Sequence, residues 1–280
     1  MFKHILNRFT CSEKQLPIII NRLRNNRIYP ILDHINENGN DHFQNYKINK
    51  QNIIKYPNNH MALKLSSLNI ENDYNLSKQY ANDICETALE NNCKILVDAE
   101  NYLLQDKINE LSNELILKFN KNDTNIYKTY QCYRKDSFSE LKNDMKSMQK
   151  NNLGIKLVRG AYYNQDHKYN ILFDNIEETH EQYNNMALYL FENVKPNDKI
   201  LIATHNSNSI DKCLSNKHLL QNDNMLEFAQ LMGMSDNLSK QIAIENKMFK
   251  YVPYGKLYES LPYLMRRFYE NIEMIQYFYK

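Results

Sequence analysis

Eight short runs rich in β-branched and aromatic residues recur along the 280-residue chain, spaced mostly by about thirty residues. They are PILDH (30–34), MALKLSSL (61–68), KILVDAE (94–100), IYKTYQCY (126–133), GIKLVRGAY (154–162), KILIATHN (199–206), MLEFAQLMG (225–233) and FKYVPYG (249–255). Helical spacing fills the stretches between them. Before the third run, for example, Leu76, Tyr80, Ala81, Ile84 and Ala88 fall on one helical face. Strands that alternate with helices must pair in parallel, because each helix carries the chain back to the sheet's starting edge. Eight such units predict an α/β protein whose sheet closes into a β/α barrel.

Two segments fall outside this rhythm. Residues 36–60 are rich in Asn and show no clear period, which predicts a long βα loop or surface excursion. Residues 1–27 carry Lys3, Arg8, Lys14, Arg22, Arg24 and Arg27 against Glu13 alone. That acid-poor composition suits part of a mitochondrial presequence, while Leu16, Ile19, Ile20 and Leu23 suit an amphipathic first helix; the helix is the simpler reading. The chain therefore divides into an N-terminal helical arm (1–27) and a barrel domain (28–280). A formal net charge of +2 gives no electrostatic case for nucleic acid. No run approaches the roughly 18 apolar residues of a membrane-spanning helix. Five scattered cysteines at no metal-ligand spacing predict reduced thiols, with neither zinc nor a disulfide framework.

Glycine and arginine are scarce, with five and eight residues, so each invites a reason. Gly160, Gly233 and Gly255 stand at strand C-termini, and so do Asp98, Gln131, Arg159, Thr204, His205 and Asn206. In a β/α barrel that edge is the active-site face. Near the C-terminus, Leu261, Leu264, Met265 and Phe268 form a core stripe at helical spacing. Tyr263, Arg266, Arg267, Glu270 and Asn271 repeat that spacing on roughly the opposite face. Such a stripe suits a solvated helix face equally well by period. The use of Arg in a Lys-dominated chain leans toward a carboxylate-binding wall, since the guanidinium offers a fixed fork.

In order along the chain, Lys156-Leu157-Val158-Arg159-Gly160-Ala161-Tyr162, Ala203-Thr204-His205-Asn206, Phe228 to Gly233 with Asp236-Asn237-Leu238, Tyr251-Val252-Pro253-Tyr254-Gly255 and Arg266-Arg267-Phe268-Tyr269-Glu270-Asn271 closely resemble the motifs of the proline dehydrogenase family. Val97-Asp98-Ala99-Glu100 and Thr129-Tyr130-Gln131 are weaker matches in the expected places. The resemblance covers roughly residues 28–275. It implies a distorted (βα)8 TIM-like barrel that holds FAD noncovalently, with a C-terminal helix over the barrel mouth. It also implies oxidation of L-proline to Δ1-pyrroline-5-carboxylate by hydride transfer to flavin N5, with electrons passing to a quinone or another acceptor.

By the same resemblance, Lys64, Arg266 and Arg267 bind the substrate carboxylate, while Tyr162, Leu231, Tyr251 and Tyr263 shape the pocket around the ring. Asp98, Gln131, Lys156, Val158, Gly160, Thr204, His205, Asn206 and Glu270 are implied to contact FAD. Gly160 would let backbone approach the cofactor closely. No residue stands out as a general base. Lys156 and Arg159 exchange the Arg and Lys of many bacterial members, Tyr163 replaces a frequent Trp and Asp166 a frequent Glu, which puts local loop geometry in question. No G-x-G-x-x-G fingerprint occurs, as expected if a barrel holds the flavin. No aldehyde dehydrogenase segment of the bifunctional relatives is present, so free product is expected. Hydroxyproline dehydrogenase is the nearest rival; such members tend to carry a smaller residue where Tyr251 stands, which favours proline. A degenerate barrel serving as a binding protein is the rival of a different class. A eukaryotic-like motif set implies mitochondria, with a cytosolic setting as the alternative, and a quinone acceptor would go with peripheral membrane association.

Overall fold

Each of the eight runs forms a strand, and the strands pair in parallel in chain order around a closed barrel. The computed structural model describes residues 8–35 and 41–255. The strands are β1 (Ile28–His34), β2 (His60–Leu63), β3 (Lys94–Val97), β4 (Ile126–Gln131), β5 (Gly154–Val158), β6 (Lys199–Ala203), β7 (Leu226–Leu231) and β8 (Lys247–Tyr254). Closure rests on β1 against β8, in register from Ile28 opposite Met248 to His34 opposite Tyr254. Several strands end earlier than their apolar runs. Lys64 and Asp98 are thus the first residues beyond β2 and β3, at the rim.

Among the described residues, the helices are α1 (Leu16–Asn25), α2 (His42–Lys55), α3 (Tyr74–Glu90), α4 (Tyr102–Phe119), α5 (Ser137–Ser147), α6 (Tyr163–Asp166), α7 (Ile176–Asn193), α8 (Ser207–Ser215) and α9 (Asp236–Ile242). The longer ones begin on polar caps. Asp73, Asn101, Asn175 and Asn206 each accept a hydrogen bond from a backbone N–H in the first turn of α3, α4, α7 and α8. The C-terminal helix expected over the barrel mouth lies outside the described residues.

Strand side chains alternate between two cores. Ile31, Leu96, Leu201 and Phe249 point into the barrel and form one buried cluster. Their outward neighbours, such as Leu32, Ile95, Ile202 and Met248, join the larger cluster beneath the helices. Burial on both faces explains why the runs read as nearly continuous apolar stretches. Each such aliphatic side chain contributes about 1.5–3 kcal/mol. At the N-terminal end the barrel is plugged by polar contacts. Tyr127 donates to Glu227 Oε2 at 2.9 Å, Lys247 pairs with Glu227 Oε1 at 2.6 Å, and the His60 ring lies 4.4 Å from that of Phe249.

The N-terminal arm is built onto the barrel. Cys11 runs parallel to the end of β8, donating from its N–H to Pro253 O and accepting from the Gly255 N–H, both at 3.1 Å. Leu16, Ile20 and Leu23 of α1 are buried against the outer core.

The expectation of a loop over residues 36–60 is corrected by α2. Asp41 caps it by accepting from Gln44 N–H at 3.0 Å. Its buried positions are Asn45, Asn52 and Ile53, so two of the three are amides and no apolar period marks the face. Asn45 donates to Ser67 O, and the Tyr46 ring stacks on Tyr80 of α3 at 4.4 Å. Replacing the cap, Asp41→Ala, is expected to lower the unfolding free energy by about 1 kcal/mol, read as a lower urea midpoint.

Candidate active site

The barrel's C-terminal rim encloses a cavity of about 540 Å³. It is lined by every expected site residue that falls among the described ones, from Lys64 and Asp98 through Lys156 and His205 to Tyr251. Tyr263, Arg266, Arg267 and Glu270 lie outside the described residues. Convergence of so many strand ends follows from register. Residues two apart on a strand share a face, so the apolar barrel interior gives way at the rim to a polar layer.

The floor of the cavity is an ion cluster drawn from five strands or their ends. Asp98 Oδ1 accepts from Lys156 Nζ at 2.6 Å and from the Tyr251 hydroxyl at 2.9 Å. Lys156 Nζ also lies 2.6 Å from the Tyr251 oxygen and 4.6 Å from its ring centroid. Lys64 Nζ pairs with Asp33 Oδ1 at 2.5 Å and stands 3.6 Å from Asp98 Oδ2. Burial pushes the Asp98 carboxyl up, but Lys156, Lys64 and the two hydrogen bonds outweigh burial and hold it below the usual carboxylate range. A carboxylate so stabilised is a poor proton acceptor.

The turn that carries Lys64 is fixed from behind. Lys64 precedes a 3₁₀ turn (Leu65–Leu68), and Glu100 Oε1 accepts from Ser66 N–H at 2.9 Å. Gln131 Nε2 donates to the Glu100 carbonyl at 2.9 Å, which ties β4 to the loop after β3.

Along the opposite wall, Arg159 donates through Nε to His180 Nδ1 (2.8 Å), through one terminal nitrogen to Thr204 Oγ1 (2.6 Å) and through the other to Ser209 Oγ (2.9 Å). Its guanidinium stands 4.5 Å from the Tyr183 ring centroid. Because the guanidinium only donates, His180 Nδ1 is the acceptor and the ring N–H sits on Nε2. Asn206 serves as the α8 cap, with Oδ1 accepting from Ser209 N–H at 3.0 Å.

Gly160 also answers a steric demand from within the chain. It adopts φ +141°, and a Cβ there would lie 2.2 Å from the Tyr133 ring. That ring is held in place because its hydroxyl donates to buried Asp166 at 2.8 Å, while Asp166 also accepts from the Tyr102 N–H. Sequence reasoning missed Asp33, Glu177 and His180 as cavity residues. Asp33 closes its apolar run as Asp98 does and could have been found by that signal; Glu177 and His180 lie at or near the start of a helix and carry none.

A family model described as proline dehydrogenase matches residues 22–277. The chain belongs to the proline dehydrogenase family. It is 37% identical over 195 residues to proline dehydrogenase 1, mitochondrial, of Dictyostelium discoideum, covering 63% of this chain and 34% of that protein. To the protein of the same name from Caenorhabditis elegans it is 33% identical over 211 residues, covering 68% and 33%. The chain thus spans about a third of these relatives' length. Among solved structures, proline utilization A from Bdellovibrio bacteriovorus superposes with a TM-score of 0.85 at 21% identity, covering 96% of this chain and 33% of that one. That likeness speaks for the barrel fold. No described helix is long and apolar enough to cross a membrane, and the described residues hold no group of three or more metal-ligating side chains.

In this family member the Asp98 cluster carries a pH signature. A carboxyl with a lowered folded pKa stabilises the fold above its unfolded value, about 3.9, and that stabilisation is lost as pH falls through the folded pKa. Asp98→Asn is therefore expected to lower the urea midpoint clearly at pH 6, with the gap to wild type closing below about pH 4. A gap independent of pH would show that the charge of Asp98 contributes nothing.

Proposed function

We propose that the chain oxidises L-proline to Δ1-pyrroline-5-carboxylate with bound FAD, the first step in breaking proline down to glutamate. The observation that carries this reading is the Lys64–Asp98–Lys156–Tyr251 cluster, set at the rim of a barrel that belongs to the proline dehydrogenase family.

The donor set fits a flavin. Lys156 and Arg159 present cations, and Thr204, Asn206 and Gln131 present neutral polar groups, around a cavity whose remaining wall includes Val158, Ala203 and Leu231. A flat, electron-poor heteroaromatic ring with carbonyl acceptors suits such a mixed wall. When bound, the flavin supplies two-electron oxidation, which the side chains lining the cavity do not. The chain's own residues bind and orient. Lys64 offers an ammonium to the substrate carboxylate, joined on this reading by Arg266 and Arg267. Tyr251, Tyr162 and Leu231 confine the ring, so that orientation lowers the barrier. The Tyr251 hydroxyl is committed to Asp98 and Lys156, so its ring is fixed at the wall where a hydroxylated substrate needs room; this favours proline over hydroxyproline. A quinone or other acceptor takes the electrons onward, and the relatives' names support a mitochondrial setting.

The test is direct. Purified protein should be yellow and reduce a dye acceptor with proline. Colourless protein that takes up no FAD would sink the flavoenzyme reading, and activity on hydroxyproline alone would overturn the substrate. Arg266→Met should raise the KM for proline by about tenfold or more, the loss of one charge-assisted hydrogen bond, while flavin stays bound. An unchanged KM would remove that arginine from the substrate site.

A further inference from the structure

Lys250 is a buried ammonium that the proposed chemistry does not use. It follows Phe249 and precedes Tyr251, both of which point into the barrel, so its side chain leaves β8 on the outer face. Only 2% of its surface is exposed. There Nζ meets three acceptors from one short stretch: the Leu231 carbonyl at 3.3 Å, the Met234 carbonyl, and Asp236 Oδ1 at 3.0 Å. An ammonium has three N–H donors, and these three groups match them.

The stretch so gathered is the turn from β7 into α9. It is a conformationally demanding turn, with Gly233 at φ +81° and Ser235 at φ +49°. From its other side, Arg8 Nε donates to the Gly233 carbonyl at 3.1 Å, and a Cβ on residue 233 would lie 2.4 Å from the Arg8 carbonyl. The turn starts at Leu231, a cavity wall, and Met232 N–H donates to the carbonyl of Tyr251, a second cavity wall, at 2.9 Å. Burial pushes the Lys250 amine down to about 8, against the pull of Asp236, so holding a charge here works against solvation.

We propose that Lys250 is a positioning residue for the substrate pocket: from outside the barrel it clamps the β7–α9 turn and so fixes Leu231 against Tyr251. The substrate part of this inference rests on the proline-oxidation reading. Without the clamp, two carbonyls and a carboxylate lose their common donor, the turn relaxes and Leu231 leaves its register. Binding of the substrate ring then weakens, while the redox step, set by groups on the other strands, is spared.

Lys128 supplies the control. It is equally buried on the outer face of β4, paired with Asp144 at 2.6 Å and Glu140 at 2.7 Å, but it is bonded to no cavity wall. Lys250→Met is expected to raise the KM for proline about fivefold or more, with kcat within about twofold and flavin content unchanged. Lys128→Met should lower thermal stability without moving KM. Should Lys250→Met fail to fold, Asp236→Asn, which keeps the shape and removes the counter-charge, should raise KM about twofold at constant kcat. An unchanged KM in the folded variant, or kcat falling with lost flavin, overturns the proposal. Hydrogen exchange at the Met232 and Met234 amides separates this from a failure of the function reading. Even in a protein inactive on proline, these amides should exchange about tenfold faster in Lys250→Met and not in Lys128→Met. Equal rates in both variants overturn the clamp.

Discussion

The ion cluster around Asp98 ties together parts of the barrel that hydrogen-bonded strand pairing alone does not. Strand pairing fixes only neighbours, whereas Asp98, Lys156 and Tyr251 meet from β3, β5 and β8 across the barrel interior. Each member is expensive to bury alone, and removing one partner of a buried pair commonly costs about 3–5 kcal/mol. A one-residue slip of β5 or β8 would turn Lys156 or Tyr251 to the outer face and leave Asp98 uncompensated. The cluster therefore selects register as well as building a cavity floor. Lys64 and Asp33 extend the same logic to β1 and β2.

Below that layer the barrel is filled by side chains. Ile31, Leu96, Leu201 and Phe249 fill its middle, and the Glu227–Tyr127–Lys247 contacts close the far end. Lys156 and Asp98 are themselves little exposed, so the cluster's charges interact more strongly than at an open surface. The same strands place charge on their outer faces too, with Lys128 on β4 and Lys250 on β8 each locked to acids from the covering helices. Polar ties on both faces thus pin strand to strand within and helix to strand outside.

Much of this architecture is legible in the sequence because strands buried on both faces must be apolar throughout, and a barrel repeats them. The strand ends and their polar residues are legible for the same reason: an abrupt change from apolar to polar marks the rim. The helix α2 was hidden because HFQNYKINKQNIIK buries two amides and only one aliphatic side chain, leaving no period to see. Tyr133 and Asp166 defied reading for another reason. Their contact, and the demand it makes on Gly160, joins residues 33 positions apart, and no local spacing encodes it. The roles of Lys64 and Lys156 came from resemblance; their pairing with Asp33, Asp98 and Tyr251 came only from the fold.

Charge balance at the cavity floor limits how a carboxylate can be held there. Asp33 and Asp98 are matched by Lys64 and Lys156, so the four cancel before any substrate arrives. Arg159 brings another cation, but its donors go to His180, Thr204 and Ser209 along the opposite wall. A proline carboxylate approaching Lys64 would compete with Asp33 for the same ammonium and set three carboxylates against two ammonium groups at the floor. In a site shielded from water such an excess is strongly unfavourable. On the proposed reading, binding therefore requires cations from outside the floor, and the chain offers an adjacent pair in Arg266 and Arg267. The neutral floor also has a use. On the proposed reading it holds a carboxylate weakly by itself, so affinity rests on Arg266 and Arg267, and a floor that attracts no anion on its own favours substrate over the many other small anions.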